Sequence, residues 1–287
     1  MMIRTAVLTG CVLFAASTGT ALAQTDAAAP SSQVQMTTHE LVLRDGSRLF
    51  GAIEHEDAVE VQFRTQAGAL VTAHRTEISS LKEITGTVVN GEFLRADPNA
   101  TRLFFGPTGR SLKKGQVYLG VYEIFMPFVQ VGITDRFSVG GGTPLIFGGA
   151  DWENPFWITP KLQVFQTPST QIAVGVFHAF NVDDDQAGVA YVAGTRGGAV
   201  SSVTIGGGLA YGTDGDRGGV VMVGAERSVR RHLKVITENY LWKGGEGIVS
   251  AGVRLFGEHL SADFAMMVPI GVDEFFAFPM VNFVYVF

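Results

Sequence analysis

Residues 247–287 read GIVSAGVRLFGEHLSADFAMMVPIGVDEFFAFPMVNFVYVF. Three runs of about ten residues alternate apolar with small or polar side chains, the period of a strand with two unlike faces. In the first run Val249, Ala251, Val253 and Leu255 oppose Ser250, Gly252 and Arg254. In the second, Leu260, Ala262, Phe264, Met266 and Val268 oppose Ser261, Asp263 and Ala265. A tight Gly257-Glu258 joins the first pair, and the longer acidic stretch PIGVDEFFAFP joins the second. A soluble sandwich also alternates in this way, with its polar face towards water.

The last run separates the two architectures. Val281, Phe283, Tyr285 and Phe287 fall on one face and the sequence ends on an aromatic residue. This is similar to the C-terminal signal read by the outer-membrane barrel assembly machinery, with Phe283, Tyr285 and Phe287 as its signal residues.

The same texture extends back to Gly115. The chain divides into about twelve alternating segments, near 115–125, 128–134, 137–146, 158–167, 171–180, 187–195, 199–212, 217–228, 231–242, 247–256, 259–268 and 278–287. Their length is close to that of a membrane-crossing strand. Connections of two kinds alternate between them. The tight ones are Thr134-Asp135-Arg136, Pro168-Ser169, Arg196-Gly197-Gly198, Val229-Arg230-Arg231 and Gly257-Glu258. The longer, acidic ones include GGADWENP, NVDDDQAG, GTDGDRG and KGGEG. Short turns on one side and long loops on the other are what outer-membrane barrels show, so the tight set is expected in the periplasm. The expected fold is all-β, with a C-terminal antiparallel transmembrane β-barrel of about 12 strands, 8 to 14 being the alternatives. Outer-membrane lipid and the assembly machinery are the partners this implies.

Composition agrees. Glycine, at 36 of 287 residues, is about twice its average usage. The formal net charge is −6 and no basic cluster stands out, which argues against nucleic acid as a partner. The single cysteine, Cys11, lies in an apolar N-terminal run. Arg4, the run Thr5 to Ala16, and Ala21-Leu22-Ala23 before Gln24 form a signal peptide over 1–23, with Ala21, Ala23 and Gln24 at the cleavage site. Leu8-Thr9-Gly10-Cys11 also fits a lipoprotein box. No later stretch supplies the unbroken apolar run of a membrane helix, so a membrane location requires a closed barrel.

Between leader and barrel three further segments are expected. Residues 24–36 are a flexible leader. Residues 37–85 are a small periplasmic β-domain of five short strands, SH3-like or Sm-like, with hairpins at Asp45-Gly46 and Ala67-Gly68 and a possible envelope partner. Residues 86–114, rich in turn residues, are a connector to the barrel over 115–287, and the sequence leaves open whether they enter the lumen.

Alternation also assigns faces. In TQIAVGVFHAF, Ile172, Val174, Val176 and Phe180 share one face against Gln171, Ala173 and Gly175. On the same basis the lumen-facing polar residues are Gln130, Lys161, Gln163, Glu226, Lys234, Glu238, Arg254 and Asp263. Three of these are basic and three acidic, and buried charges of both signs are expected to pair with each other; pairs across the lumen would make the barrel more plugged than porous. The loop carboxylates Asp183, Asp184, Asp185, Asp214 and Asp216 are weak candidates for a divalent cation, outweighed by solvated loops.

No catalytic residue or cofactor is assigned. Of the six histidines, His39, His55 and His74 lie in the small domain without metal spacing, and His232 and His259 flank tight turns. His178 falls on the apolar face of its strand, as in an interfacial girdle. A membrane hydrolase, the enzyme alternative, requires a Ser or Asp within hydrogen-bond reach of His178. The expected role is non-enzymatic, as a narrow channel or a structural and interaction protein. A soluble periplasmic β-sandwich is the third reading.

Finally, Asn99-Ala100-Thr101-Arg102-Leu103-Phe104-Phe105-Gly106-Pro107-Thr108-Gly109, Leu112-Lys113-Lys114-Gly115 and Gly132-Ile133-Thr134-Asp135-Arg136-Phe137-Ser138-Val139-Gly140-Gly141-Gly142 carry a resemblance. They are similar to motifs of a family of uncharacterised bacterial exported outer-membrane barrel proteins. The resemblance implies fold and location and carries over no functional residue.

Overall fold

A computed structural model describes residues 38–84, 86–89, 92–145, 155–182, 185–213, 217–242, 244–272 and 275–287. The signal segment with Cys11, Ala21, Ala23 and Gln24, the leader 24–36, and Asp183, Asp184, Asp214 and Asp216 lie outside the described residues. Asp185 is described, exposed at the start of a strand. No metal-holding group of acidic, His or Cys side chains occurs among the described residues.

Strands β1 (Thr38–Leu43), β2 (Arg48–Glu56), β3 (Glu60–Thr65), β4 (Leu70–His74) and β5 (Ile78–Ile84) form one antiparallel sheet in the order β4-β3-β2-β1-β5. Gly46 and Gly68 turn two of its hairpins at φ of +89° and +88°, a conformation that a side chain disfavours. Leu41, Phe63 and Ala73 form its core. The fifth strand returns beside the first, as in a small rolled sheet; a β4–β5 pairing to close it is absent among the described residues. A separate hairpin follows, β6 (Gly86–Val89) with β7 (Glu92–Arg95).

The barrel comprises β8 (Val117–Tyr122), β9 (Met126–Gly132), β10 (Phe137–Gly142), β11 (Phe156–Ile158), β12 (Lys161–Gln166), β13 (Thr170–Val182), β14 (Asp185–Gly197), β15 (Ser201–Gly212), β16 (Arg217–Arg230), β17 (Leu233–Trp242), β18 (Gly247–Phe256), β19 (Leu260–Ile270) and β20 (Phe278–Val286). Each pairs antiparallel with its neighbours, and β20 pairs with β8 while β9 pairs with β10, so the sheet closes. Strands β11 and β12 both lie between β10 and β13 and are one strand, interrupted at Thr159-Pro160. Proline has no N–H for the ladder, which accounts for the break. The barrel therefore has twelve strands, as the alternation predicts.

Its two faces follow the same alternation. Outward side chains are large, apolar and exposed, among them Leu162, Val203, Ile205, Leu209, Val221, Leu255 and Phe264. That is the belt of a barrel built for lipid. Inward side chains are mostly small or polar, with larger ones such as Phe128, Ile236, Met267 and Met280 among them, and most are buried. A barrel of this size does not fill its lumen with wall side chains alone, so the burial of its inward face needs another element.

Candidate functional site

That element is the segment after β7. Asn99, Leu103, Phe104, Thr108 and Leu112 are fully or almost fully buried, and Thr101 and Arg102 nearly so. Leu103 and Phe104 pack with Ile236, Ala265, Met267 and Met280 of the wall. Burial of two side chains of this size is worth about 3–6 kcal/mol. Residues 97–112 thus run inside the ring of strands as a plug. The sequence leaves open whether the connector 86–114 enters the lumen, and residues 97–112 of it do so. An isolated Leu103-Phe104-Phe105 in solvent would expose a contiguous apolar run, and the lumen removes it from water.

Strand register explains how the wall grips the plug. Lys234 pairs with Arg254, Arg254 with Asp263, Asp263 with Asn282, and Asn282 with Tyr122. Directly opposed residues face the same side of a sheet. One ladder line thus carries five polar side chains inward across β17, β18, β19, β20 and β8. The plug bonds to four of them. Lys234 Nζ donates to Asp97 at 2.8 Å. Arg254 donates to Asp97 Oδ2 at 3.0 Å, to the Asn99 carbonyl at 2.7 Å and to the Leu103 carbonyl. Asn282 donates to the Phe104 carbonyl at 3.3 Å, and Arg102 donates to the Tyr122 hydroxyl.

Glu238 holds the tip. Its carboxylate accepts from the amides of Phe104 (2.7 Å), Phe105 (3.1 Å) and Gly106 (3.1 Å) and from the Tyr240 hydroxyl (2.7 Å). These four donors replace the water that a buried carboxylate has lost. Lys161 Nζ donates to the carbonyls of Thr101 (2.9 Å) and Thr108 (3.3 Å), Gln163 to that of Gly109 (2.9 Å), and the Gly109 amide to Thr195 Oγ1 (2.8 Å). A Cβ at Gly109 would lie 2.1 Å from the Gln171 carbonyl oxygen, so the chain passes the wall here only because this residue is glycine.

All eight inward residues named from the sequence are buried: Gln130, Lys161, Gln163, Glu226, Lys234, Glu238, Arg254 and Asp263. Glu226, Lys234, Arg254 and Asp263 pair, as opposite buried charges are expected to, along the wall and with the plug. Lys234 meets Glu226 at 2.8 Å and Arg254 meets Asp263 at 2.6 Å along the wall. Their remaining bonding capacity goes to the plug, because the plug supplies its own charges, Asp97, Arg102 and Arg110. Arg110 pairs with Glu226, which also accepts from Ser202 at 2.6 Å, and Gln130 accepts from Arg102 at 2.6 Å. Sequence reading missed Tyr122, Thr195, Ser202, Tyr240 and Asn282. Asn282 was detectable, as the one polar residue inside the run MVNFVYVF.

The small sheet touches the barrel at the tight turn after β16. Arg231 donates to Glu40 at 3.1 Å, and its guanidinium lies 3.9 Å from the Phe50 ring centre. Burial alone would raise the Glu40 carboxyl, but Arg231 and Arg48 hold it below the usual glutamate value.

His178 bonds the Tyr211 hydroxyl at 3.0 Å and Gln186 at 3.3 Å, and stacks against Tyr211 beside Phe180. Neither bonded neighbour is a Ser or Asp, so the pair that the hydrolase reading requires is not formed at His178 among the described residues.

No protein-family model matches the sequence, and no curated protein matches it. The resemblance carried by residues 98–142 therefore gains no family support. Among solved structures, the chain is similar to the KdgM porin in complex with disordered oligogalacturonate, with TM-score 0.45 and 10% identity over 60% of this chain and 98% of that one. It is also similar to a loop L8 deletion mutant of OmpT, an outer membrane protein of Vibrio cholerae, with TM-score 0.38 and 11% identity over 88% and 97% of the two chains. Salmonella typhi OmpF in complex with daunomycin gives TM-score 0.33 and 9% identity over 88% and 96%. These scores are low, and the barrel assignment rests on the strand pairing itself.

Proposed function

We propose that this chain is a non-enzymatic outer-membrane β-barrel that keeps its own lumen shut, a narrow channel whose gate is the segment 97–112. The observation that carries the reading is the polar grip on that segment. A permanently sealed barrel is better stabilised by apolar filling, since a buried ion pair often contributes less than hydrophobic residues of the same volume. Here the plug is held chiefly by charges and carbonyl bonds, with Leu103, Phe104, Phe105 and Leu112 as its apolar contacts. Such contacts exchange with water when the segment withdraws. A twelve-stranded ring is wide enough for an aqueous path once it does.

The apolar belt supports a location in the outer membrane, and the alternation of tight turns with longer loops supports an orientation with tight turns in the periplasm. The small sheet docks on a tight turn, so it lies on the periplasmic side in this reading, where an envelope partner can reach it.

Planar-bilayer recording of the detergent-folded mature protein tests the proposal, alongside a variant with residues 97–112 replaced by a Gly/Ser linker. A quiet full-length protein and a conducting variant support a gated channel. A folded variant that stays silent removes the channel and leaves the structural and interaction role.

A further inference from the structure

On the side of the plug away from the small sheet, two adjoining cavities of about 260 and 300 Å³ open into the lumen. They share Phe105, Pro107, Phe177 and Tyr191 as lining. The smaller one also borders Arg102 and Lys161. We propose that these cavities together form a binding site for a small carboxylate with an aromatic or apolar body.

Arg110, Lys234 and Arg254 each meet a carboxylate in the lumen. Arg102 and Lys161 do not: among the described residues neither has a carboxylate within salt-bridge reach, although they are only 6% and 3% exposed. Lys161 has two backbone carbonyls, and Arg102 has Tyr122, Gln130 and the Phe128 ring 4.3 Å away. Such dipoles and ring faces solvate a cation without neutralising it. The buried Arg102 guanidinium beside the buried Lys161 amine makes the cavity electropositive, a low-dielectric wall strengthens that field, and a bound carboxylate favours the protonated amine. A carboxylate at this floor completes two charge-assisted bonds and neutralises one of the charges.

The body of the ligand follows from the walls. Trp157, Met222 and Trp242 line them, and Phe177 is 41% exposed although it shares the inward face of Gln171 and Ala173. An inward aromatic that exposed looks into the cavity rather than into lipid. An apolar or aromatic group removes this surface from water. The combined volume suits a ligand of modest size.

The site does not depend on plug movement, and its test is separate from conductance. Isothermal calorimetry on the detergent-folded full chain compares phenylacetate with phenylacetamide, its neutral counterpart, in wild type, Lys161→Gln and Phe177→Trp. Heat-dependent gel mobility verifies folding of each variant. The expected result is saturable binding of phenylacetate, at least about tenfold weaker binding of the amide, and weakened phenylacetate binding in both variants. Phe177→Trp narrows the cavity without replacing either cation, so it reports on the site even if Lys161→Gln loosens the plug. Absence of saturable binding in wild type, equal binding of acid and amide, or unchanged affinity in either variant overturns the proposal.

Discussion

Arg254 and Asp97 lie 157 residues apart in the chain, yet their side chains meet at 3.0 Å inside the barrel. Arg254 belongs to the wall and Asp97 to the plug. Arg254 also holds Asp263 on the neighbouring strand, so one guanidinium ties wall to wall and wall to plug. Loss of this residue should therefore loosen both the wall and the plug.

Replacement of Arg254 by Met leaves Asp97 and Asp263 facing a buried site without that partner. Breaking one side of a buried pair costs about 3–5 kcal/mol. The expected outcome is a lower urea midpoint for the detergent-folded protein, together with current steps in a bilayer that the wild type lacks. A variant as stable and as quiet as the wild type would refute the latch.

Glu238→Gln retains the shape of the side chain but removes its charge and one acceptor oxygen. Three plug amides and the Tyr240 hydroxyl now converge on that carboxylate. A donor left unpaired costs about 1–3 kcal/mol. The tip should exchange its amide hydrogens faster, and hydrogen exchange of residues 104–106 reads this directly.

The wall accommodates Leu103 by having no side chain at Gly224, where a Cβ would lie 2.2 Å from Leu103 Cδ1. Gly224→Val therefore overpacks the contact, at a cost of about 1–3 kcal/mol. Leu103→Ala should restore part of the loss in the double variant. Additive losses, measured as unfolding midpoints, would show that the two positions do not touch.

The contact between small sheet and barrel carries a pH dependence through Glu40. Its carboxyl is held below the ordinary value of 4.5 by Arg231 and Arg48 against the effect of burial. A group depressed in the folded state contributes stability that is complete above its unfolded pKa and disappears as pH falls through the folded one. The contact should thus persist at pH 4.5 and weaken only in more acid solution, and Glu40→Gln should abolish that step. Proteolysis of residues 38–84 across an acid titration measures both.

Ile205 points outward from β15 and is 60% exposed. If that face meets lipid, Ile205→Arg costs about 2–4 kcal/mol when the position is near the bilayer midplane. Refolding into vesicles should show the loss. An unchanged folding free energy would mean that this part of the belt faces water.

The sequence by itself determined the barrel. Period-two alternation and the rhythm of short and long connections are local properties, each readable within about ten residues. They pointed to about twelve strands, with 8 to 14 as alternatives, and to the faces of Val249 to Leu255, Leu260 to Val268 and Val281 to Phe287, because a one-residue slip would turn every inward group outward. They also pointed inward the eight polar residues that the structure buries. What those residues hold was decided only by the tertiary structure. The plug has no period, since irregular backbone satisfies its amides and carbonyls through partners far away in sequence: Glu238 for Phe104, Lys161 for Thr101, Arg254 for Leu103. Leu103-Phe104-Phe105 among turn residues was the one local sign that the segment is buried. The unneutralised pair Arg102 and Lys161 had no local sign at all, because it exists only where a residue of the plug meets a residue of the wall.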